Sequence, residues 1–204
     1  MSLTVIYLHG FNSSPQSIKA QQLSAYYDAQ LLNETGCQLL IPLLDHQPEA
    51  AIEQLCVLVE QVSSSNVLLI GSSLGGYYSL YLAQKYSNCA AVLINPAVYP
   101  YLLLAQMLGE QQNLYTQQRY LLSAVHIEQL KTLDVIELDN PSRILMYSQM
   151  GDETLDYQEA VLKYPAIEQR VSAGGNHSFE NFELVIPQIF EFADQQFLGS
   201  RVNE

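Results

Sequence analysis

Short aliphatic runs alternate with longer amphipathic stretches along this sequence, and that rhythm limits the fold more than any other feature. Thr4–Leu8, Leu39–Leu43, Asn66–Ile70, Ala90–Ile94, Arg143–Ser148 and Ile167–Val171 each read as a strand. Between and after them the pattern predicts helices over Ser17–Glu34, Pro48–Val62, the stretch from the Gly71–Gly76 turn to Tyr86, Leu155–Lys163 and Asn181–Phe197. Pro187 is a candidate kink in the last of these. Asn66–Ile70 is nearly all bulky aliphatics, the mark of a strand covered on both faces. Strand–helix alternation of this kind builds a mostly parallel sheet, here of about six strands, with helices on both sides. Such sheets gather their sites at the carboxyl ends of the strands. The loops that begin at His9, Gly71, Asn95, Gln149 and Ala173 are therefore expected on one edge.

Composition narrows the class. At about 150 residues per domain, 204 residues suggest a single domain spanning 1–204. With 49% hydrophobic and 14% charged residues, the chain is too apolar and too weakly charged to stay disordered. No apolar run is long enough to span a bilayer, and the start lacks the basic region of a signal peptide. A net charge of −13 repels nucleic acid and anionic membrane, so neither is an expected partner. Cys37, Cys56 and Cys89 show no CxxC spacing and read as free thiols in a reducing cytoplasm. The four histidines are scattered without metal-ligand spacing, so neither a metal nor another cofactor is expected.

The rhythm breaks in one place. Residues 96–142 hold no convincing strand and read as a helical, cap-like insert. Its aromatic and aliphatic residues, from Tyr99 to Leu104 and again at Tyr115, Tyr120, Leu121 and Leu122, suit two arrangements. They could pack on the sheet as an ordinary crossover, or they could wall a substrate pocket. Inserts of this length are more often functional.

Gly71-Ser72-Ser73-Leu74-Gly75 matches G-x-S-x-G and stands directly between the aliphatic strand and a helix, as a nucleophile elbow requires. A serine at the tip of that turn has a strained backbone and needs small neighbours two residues away on each side. The glycine spacing selects Ser73 over Ser72. A serine hydroxyl needs a base, and chain order in this arrangement is Ser, acid, His. His177, in the Gly174–Phe179 loop after the last strand, occupies the base position, whereas His126 falls inside the insert. Asp152 follows its strand most closely and ranks first as the acid, with Asp156 and Glu153 as alternatives; this acidic stretch also suits a helix N-cap. Two backbone donors must stabilise the oxyanion: Leu74 N–H, and Phe11 N–H with Asn12 as runner-up. His9 reads as a structural residue of that loop, and His46 as a solvated one.

Together these stretches resemble the small bacterial YqiA-like esterases of the α/β-hydrolase superfamily. The matching segments are Tyr7–Pro15, Gly71–Tyr77, Asn95–Ala97, Gly151–Tyr157 and Gly174–Phe179, in that order over nearly the whole chain. The resemblance implies a short α/β-hydrolase fold and a serine esterase acting on short acyl esters or thioesters. It implies Ser73, Asp152 and His177 as catalytic triad. The antiparallel strands that open the full hydrolase fold have no counterpart here. The alternatives are an acyl-coenzyme A thioesterase with the same triad and a non-catalytic binding protein on the same fold. The Lys and Arg side chains stand singly along the sequence, with no two adjacent. An acyl-coenzyme A is therefore expected to be repelled more than a small neutral ester.

Overall fold

A computed structural model describes residues 2–197. Its elements in chain order are β1 (Leu3–Leu8), α1 (Ile18–Ala29), β2 (Cys37–Leu40), α2 (Pro48–Gln61), β3 (Asn66–Ser72), α3 (Leu74–Lys85) and β4 (Cys89–Ile94). There follow α4 (Pro100–Leu104), β5 (Gly109–Gln112), β6 (Arg119–Leu122), α5 (Ala124–Thr132), β7 (Ile144–Gln149), α6 (Tyr157–Lys163), β8 (Glu168–Ser172) and α7 (Ile186–Phe197).

Six strands form one sheet in the order β2-β1-β3-β4-β7-β8, and every neighbouring pair in it is parallel. Side chains alternate across it. Val5, Tyr7, Leu68, Ile70, Val92 and Ile94 meet α1 and α7 on one face. Ile6, Leu8, Val67, Leu69, Ala91 and Leu93 meet α2, α3, α5 and α6 on the other. In α2 the buried Ala51, Ile52, Leu55 and Val59 recur at helical spacing, and Pro48 opens the first turn where no N–H is needed. Burying each larger aliphatic side chain contributes roughly 1.5–3 kcal/mol.

The differences from the sequence reading have local causes. The helix expected over Ser17–Glu34 stops at Ala29, because Leu31 turns left-handed at φ 51° and Leu32–Thr35 winds into a 3-10 turn. β2 ends at Leu40, ahead of Pro42, which has no N–H to extend the ladder. Pro187 kinks nothing: α7 begins at Ile186, so the proline sits in the first turn, where the fixed φ suits a helix. Residues 96–142 are not purely helical. β5 and β6 pair as an antiparallel hairpin between α4 and α5. Its strands are only four residues each and polar on β5, too short and too weakly patterned to stand out in the sequence.

Chain direction reverses between β1 and β3. The chain leaves β1 toward β2 on one side and returns to β3 on the other. At such a switch point the loops after the two strands diverge and leave a crevice. The loops in question begin at His9 and Ser73.

Candidate active site

Ser73 sits where β3 passes into α3, with φ 55° and ψ −118°. A non-glycine residue so placed costs on the order of 1–3 kcal/mol and persists only when its surroundings hold it. Three bonds do so. Ser73 N–H donates to Ile94 O at 3.0 Å, while Ser73 O accepts from Gly76 N–H at 2.9 Å and Ala97 N–H at 3.2 Å. The flanking glycines are required by close approach. A Cβ on Gly71 would lie 2.2 Å from Gly75 O, and one on Gly75 would lie 2.0 Å from Leu8 O. The start of α3 is thereby pressed against the end of β1, and Gly10 faces the serine: a Cβ there would be 3.2 Å from Ser73 Cβ.

The fold brings His177 and Asp152 together. His177 Nδ1 is 2.8 Å from Asp152 Oδ2 and 3.0 Å from Oδ1. The Asp152 side chain is 2% exposed and that of His177 26%. Asp152 Oδ1 also accepts from Thr154 N–H at 2.8 Å and Leu155 N–H at 2.9 Å. Burial alone would raise this carboxyl, but His177 and the two amides outweigh it and hold it below the usual carboxylate value. Asp156 and Glu153 do other work. Asp156 caps α6 by accepting from Gln158 N–H at 2.9 Å. Glu153 Oε2 accepts from the His177 backbone N–H at 2.9 Å.

Ser73 and His177 line one cleft of about 350 Å³. Ser73 Oγ makes no hydrogen bond, to His177 or to any other group, among the described residues. Phe11 lines the same cleft, and Leu74 is the first residue of α3, where the N–H groups lie beyond the helix's own bonding. The insert supplies an apolar side of the cleft through Leu103, Leu104, Met107, Leu114 and Tyr115. It is fastened to the loop after β1. Tyr120 hydroxyl donates to Asn12 Oδ1 at 2.7 Å, Asn113 Nδ2 to Ser13 O at 2.8 Å and Leu114 N–H to Asn12 O at 3.3 Å.

His9 lies beneath that loop. Its Nε2 accepts from Leu44 N–H at 3.1 Å, which leaves Nδ1 to donate to Gly10 O at 3.0 Å. Burial lowers its pKa and keeps it neutral. His46 is not simply solvated: its ring packs 4.3 Å from that of Tyr120. His126 belongs to the start of α5, where it and Ser123 form a reciprocal capping box.

Two residues that sequence reasoning did not single out as functional hold the His177 loop. Asn95, buried after β4 at φ 40°, accepts from Gln149 N–H at 2.9 Å and donates to Asn176 O at 2.9 Å. Gln149 Oε1 accepts from Asn176 N–H at 3.1 Å and Glu180 N–H at 2.8 Å, and its Nε2 donates to Glu180 O at 2.9 Å. The available signal was a long polar side chain ending an otherwise apolar strand. Among the described residues no cluster of His, Cys, Asp or Glu could hold a metal ion.

A parallel sheet with this strand order, an elbow serine at its switch point and an Asp–His pair at its carboxyl edge define the α/β-hydrolase fold. Solved structures agree. Est1E from Butyrivibrio proteoclasticus is 18% identical, with a TM-score of 0.72 over 97% of this chain and 88% of that one. Mouse alpha/beta hydrolase domain-containing protein 10 is 18% identical, with a TM-score of 0.72 over 95% of this chain and 90% of that one. A putative hydrolase from Agrobacterium vitis S4 is 17% identical, with a TM-score of 0.69 over 92% and 88%. At these identities the likeness is one of fold. The chain itself belongs to the uncharacterised protein family UPF0227, whose model matches residues 4–194. That is the family to which the YqiA-like motifs pointed.

Proposed function

We propose that the protein is a serine esterase that hydrolyses short-chain carboxylic esters through an acyl-enzyme. The observation that carries this reading is the buried Asp152–His177 pair opening on the same cleft as the strained Ser73. His177 Nδ1 donates to Asp152, which leaves Nε2 to take the Ser73 proton as Oγ attacks the carbonyl carbon. The carbonyl oxygen becomes an oxyanion and is received by the N–H groups of Phe11 and Leu74. When the ester bond breaks, His177 returns that proton to the leaving oxygen. Water then attacks the acyl-serine by the same route in reverse order and releases the acid. A thioester carbonyl fits the same steps.

The size of the cleft supports a short acyl chain. About 350 Å³, closed on one side by the insert, suits a short chain. Cys37 and Cys89 are buried free thiols, and burial raises their pKa values to about 11 and about 12, which keeps them protonated and unreactive. No helix among the described residues is long and apolar enough to cross a membrane.

The test is covalent labelling with a fluorophosphonate, followed by turnover of 4-nitrophenyl butyrate. The expected result is a label on Ser73, and a loss of at least about three decades of kcat in Ser73→Ala with the fold intact. An unlabelled Ser73, with no turnover, would instead favour a binding protein on a hydrolase fold.

A further inference from the structure

The cleft beside Ser73 has an electrostatic character opposite to that of the chain. The whole sequence carries 21 acidic and 8 basic residues, yet the cleft lining holds one lysine and no carboxylate. The lysine is Lys19, in the first turn of α1. Its Nζ donates to Ser178 O at 2.8 Å, the carbonyl next in sequence to the candidate acid–base residue. Lys19 makes no ion pair among the described residues. Asp152, whose charge acts on it, is already engaged by His177 and two backbone amides. Burial lowers the Lys19 pKa to about 8, as expected for an ammonium drawn out of water without a counter-ion.

One further feature adds to this charge. α1 runs for 12 residues, carries no acidic residue in its first turn, and presents its positive end to the cleft through Ser17, Ile18 and Lys19. Ser17, 8% exposed at the N-cap, makes no capping bond, because its buried hydroxyl is turned toward that of Tyr7. A cation and a helix N-terminus therefore share one wall.

That wall lies on a definite side of the reaction. The oxyanion donors belong to Phe11 and Leu74, whereas His177 must reach the leaving atom to protonate it. Lys19 is fastened to the residue after His177, so it borders the leaving group rather than the acyl chain. Resting on the esterase reading above, we propose that the natural substrate is an ester or thioester whose leaving alcohol or thiol carries a carboxylate, received by Lys19. Such a ligand supplies the counter-ion that Lys19 lacks. It also outweighs the long-range repulsion of a chain at −13, because the attraction acts at contact and inside a partly desolvated cleft. In a coenzyme A thioester the phosphates are remote from the scissile bond, so it does not satisfy this site.

The experiment compares 4-nitrophenyl butyrate with 3-carboxy-4-nitrophenyl butyrate, which has the same acyl group and a carboxylate on the leaving group. The quantity read is the ratio of their kcat/KM values. In Lys19→Met, which keeps the aliphatic stem, the ratio in favour of the carboxylated ester is expected to fall at least tenfold, mainly through KM. Lys19→Arg restores it to within about threefold, since either cation can meet a carboxylate. A second readout needs no variant and no turnover. The product 5-hydroxy-2-nitrobenzoate slows fluorophosphonate labelling of Ser73 in the wild type, and its methyl ester does so far less. An unchanged ratio in Lys19→Met, or equal protection by acid and methyl ester, overturns the proposal and leaves Lys19 as an anchor for the Ser178 carbonyl. The esterase reading fails separately, by absent labelling and absent turnover of both esters.

Discussion

Changing Asp152 to Asn isolates the part of the site that geometry defines best. The carboxylate has two distinct oxygens. Oδ1 accepts from the Thr154 and Leu155 amides at 2.8 and 2.9 Å, while Oδ2 has no partner among the described residues but His177 Nδ1, which lies nearer to it, at 2.8 Å, than to Oδ1, at 3.0 Å. An asparagine keeps its oxygen where Oδ1 was, because the opposite orientation would set its NH₂ against two backbone donors. The amide nitrogen then faces His177 Nδ1 and donates to it. The imidazole must carry its proton on Nε2, toward Ser73, and can no longer accept the serine proton. Loss of the correct tautomer in a triad costs up to about four decades in kcat, roughly 5.5 kcal/mol of transition-state stabilisation. Stability changes less. The Asp152 carboxyl titrates below its ordinary value in the folded state. It therefore stabilises the fold above the unfolded carboxylate pKa, a contribution lost as pH falls through the folded value, and the amide lacks it throughout. Asp156→Asn is the control: its oxygen still caps α6, so only a charge near a helix start is lost, about 0.3–1 kcal/mol. The assay is kcat on 4-nitrophenyl butyrate at neutral pH, with circular dichroism to confirm folding. If Asp152→Asn keeps more than about a tenth of kcat while Asp156→Asn loses decades, the tautomer argument and the assignment of the acid both fail.

Asn95→Ala removes the acceptor for Gln149 N–H and the donor to Asn176 O, leaving two polar groups exposed to loss at about 1–3 kcal/mol each. At about 2–4 °C per kcal/mol for a chain of this size, the Tm is expected to drop by roughly 4 °C or more, with kcat falling further than KM rises. An unchanged Tm by scanning calorimetry would contradict the network. Gly75→Ala places a methyl group 2.0 Å from Leu8 O, a backbone atom that cannot yield cheaply, so little folded protein is expected in the soluble fraction. A folded, active Gly75→Ala enzyme would refute the close approach of α3 to β1. His9 and His126 are both held neutral by burial, with pKa values below the ordinary 6.5. Depressed bases stabilise the fold above their unfolded pKa and cease to do so as pH falls below it, so the Tm is expected to begin falling near pH 6.5. A flat Tm between pH 6.5 and 5 counts against both burial effects.

Local periodicity was enough to place the four central strands and most helices, because a strand buried on both faces must be aliphatic and an amphipathic helix must repeat its apolar face; the half-exposed edge strands β2 and β8 were legible from the strand–helix alternation. The glycine pair around Ser73 was equally legible, since close approach of α3 to β1 leaves no room for a Cβ at Gly71 or Gly75. Chain order and loop position pointed to His177 and ranked Asp152 first, and the resemblance implied the same pair. What the sequence left open depended on distance through space. Asp152 and Asp156 stand four residues apart in one loop, and only the tertiary fold sends one to His177 and the other to the α6 cap. The β5–β6 hairpin has one polar strand and only four residues in each, and it is held by its bonds to Asn12 and Ser13. Asn95 and Gln149 are polar residues at strand ends whose partners lie in a loop distant in sequence. Lys19 is one isolated cation among many acids until the chain turns back and sets it against Ser178, because a charge gains its meaning from the neighbours that burial leaves it.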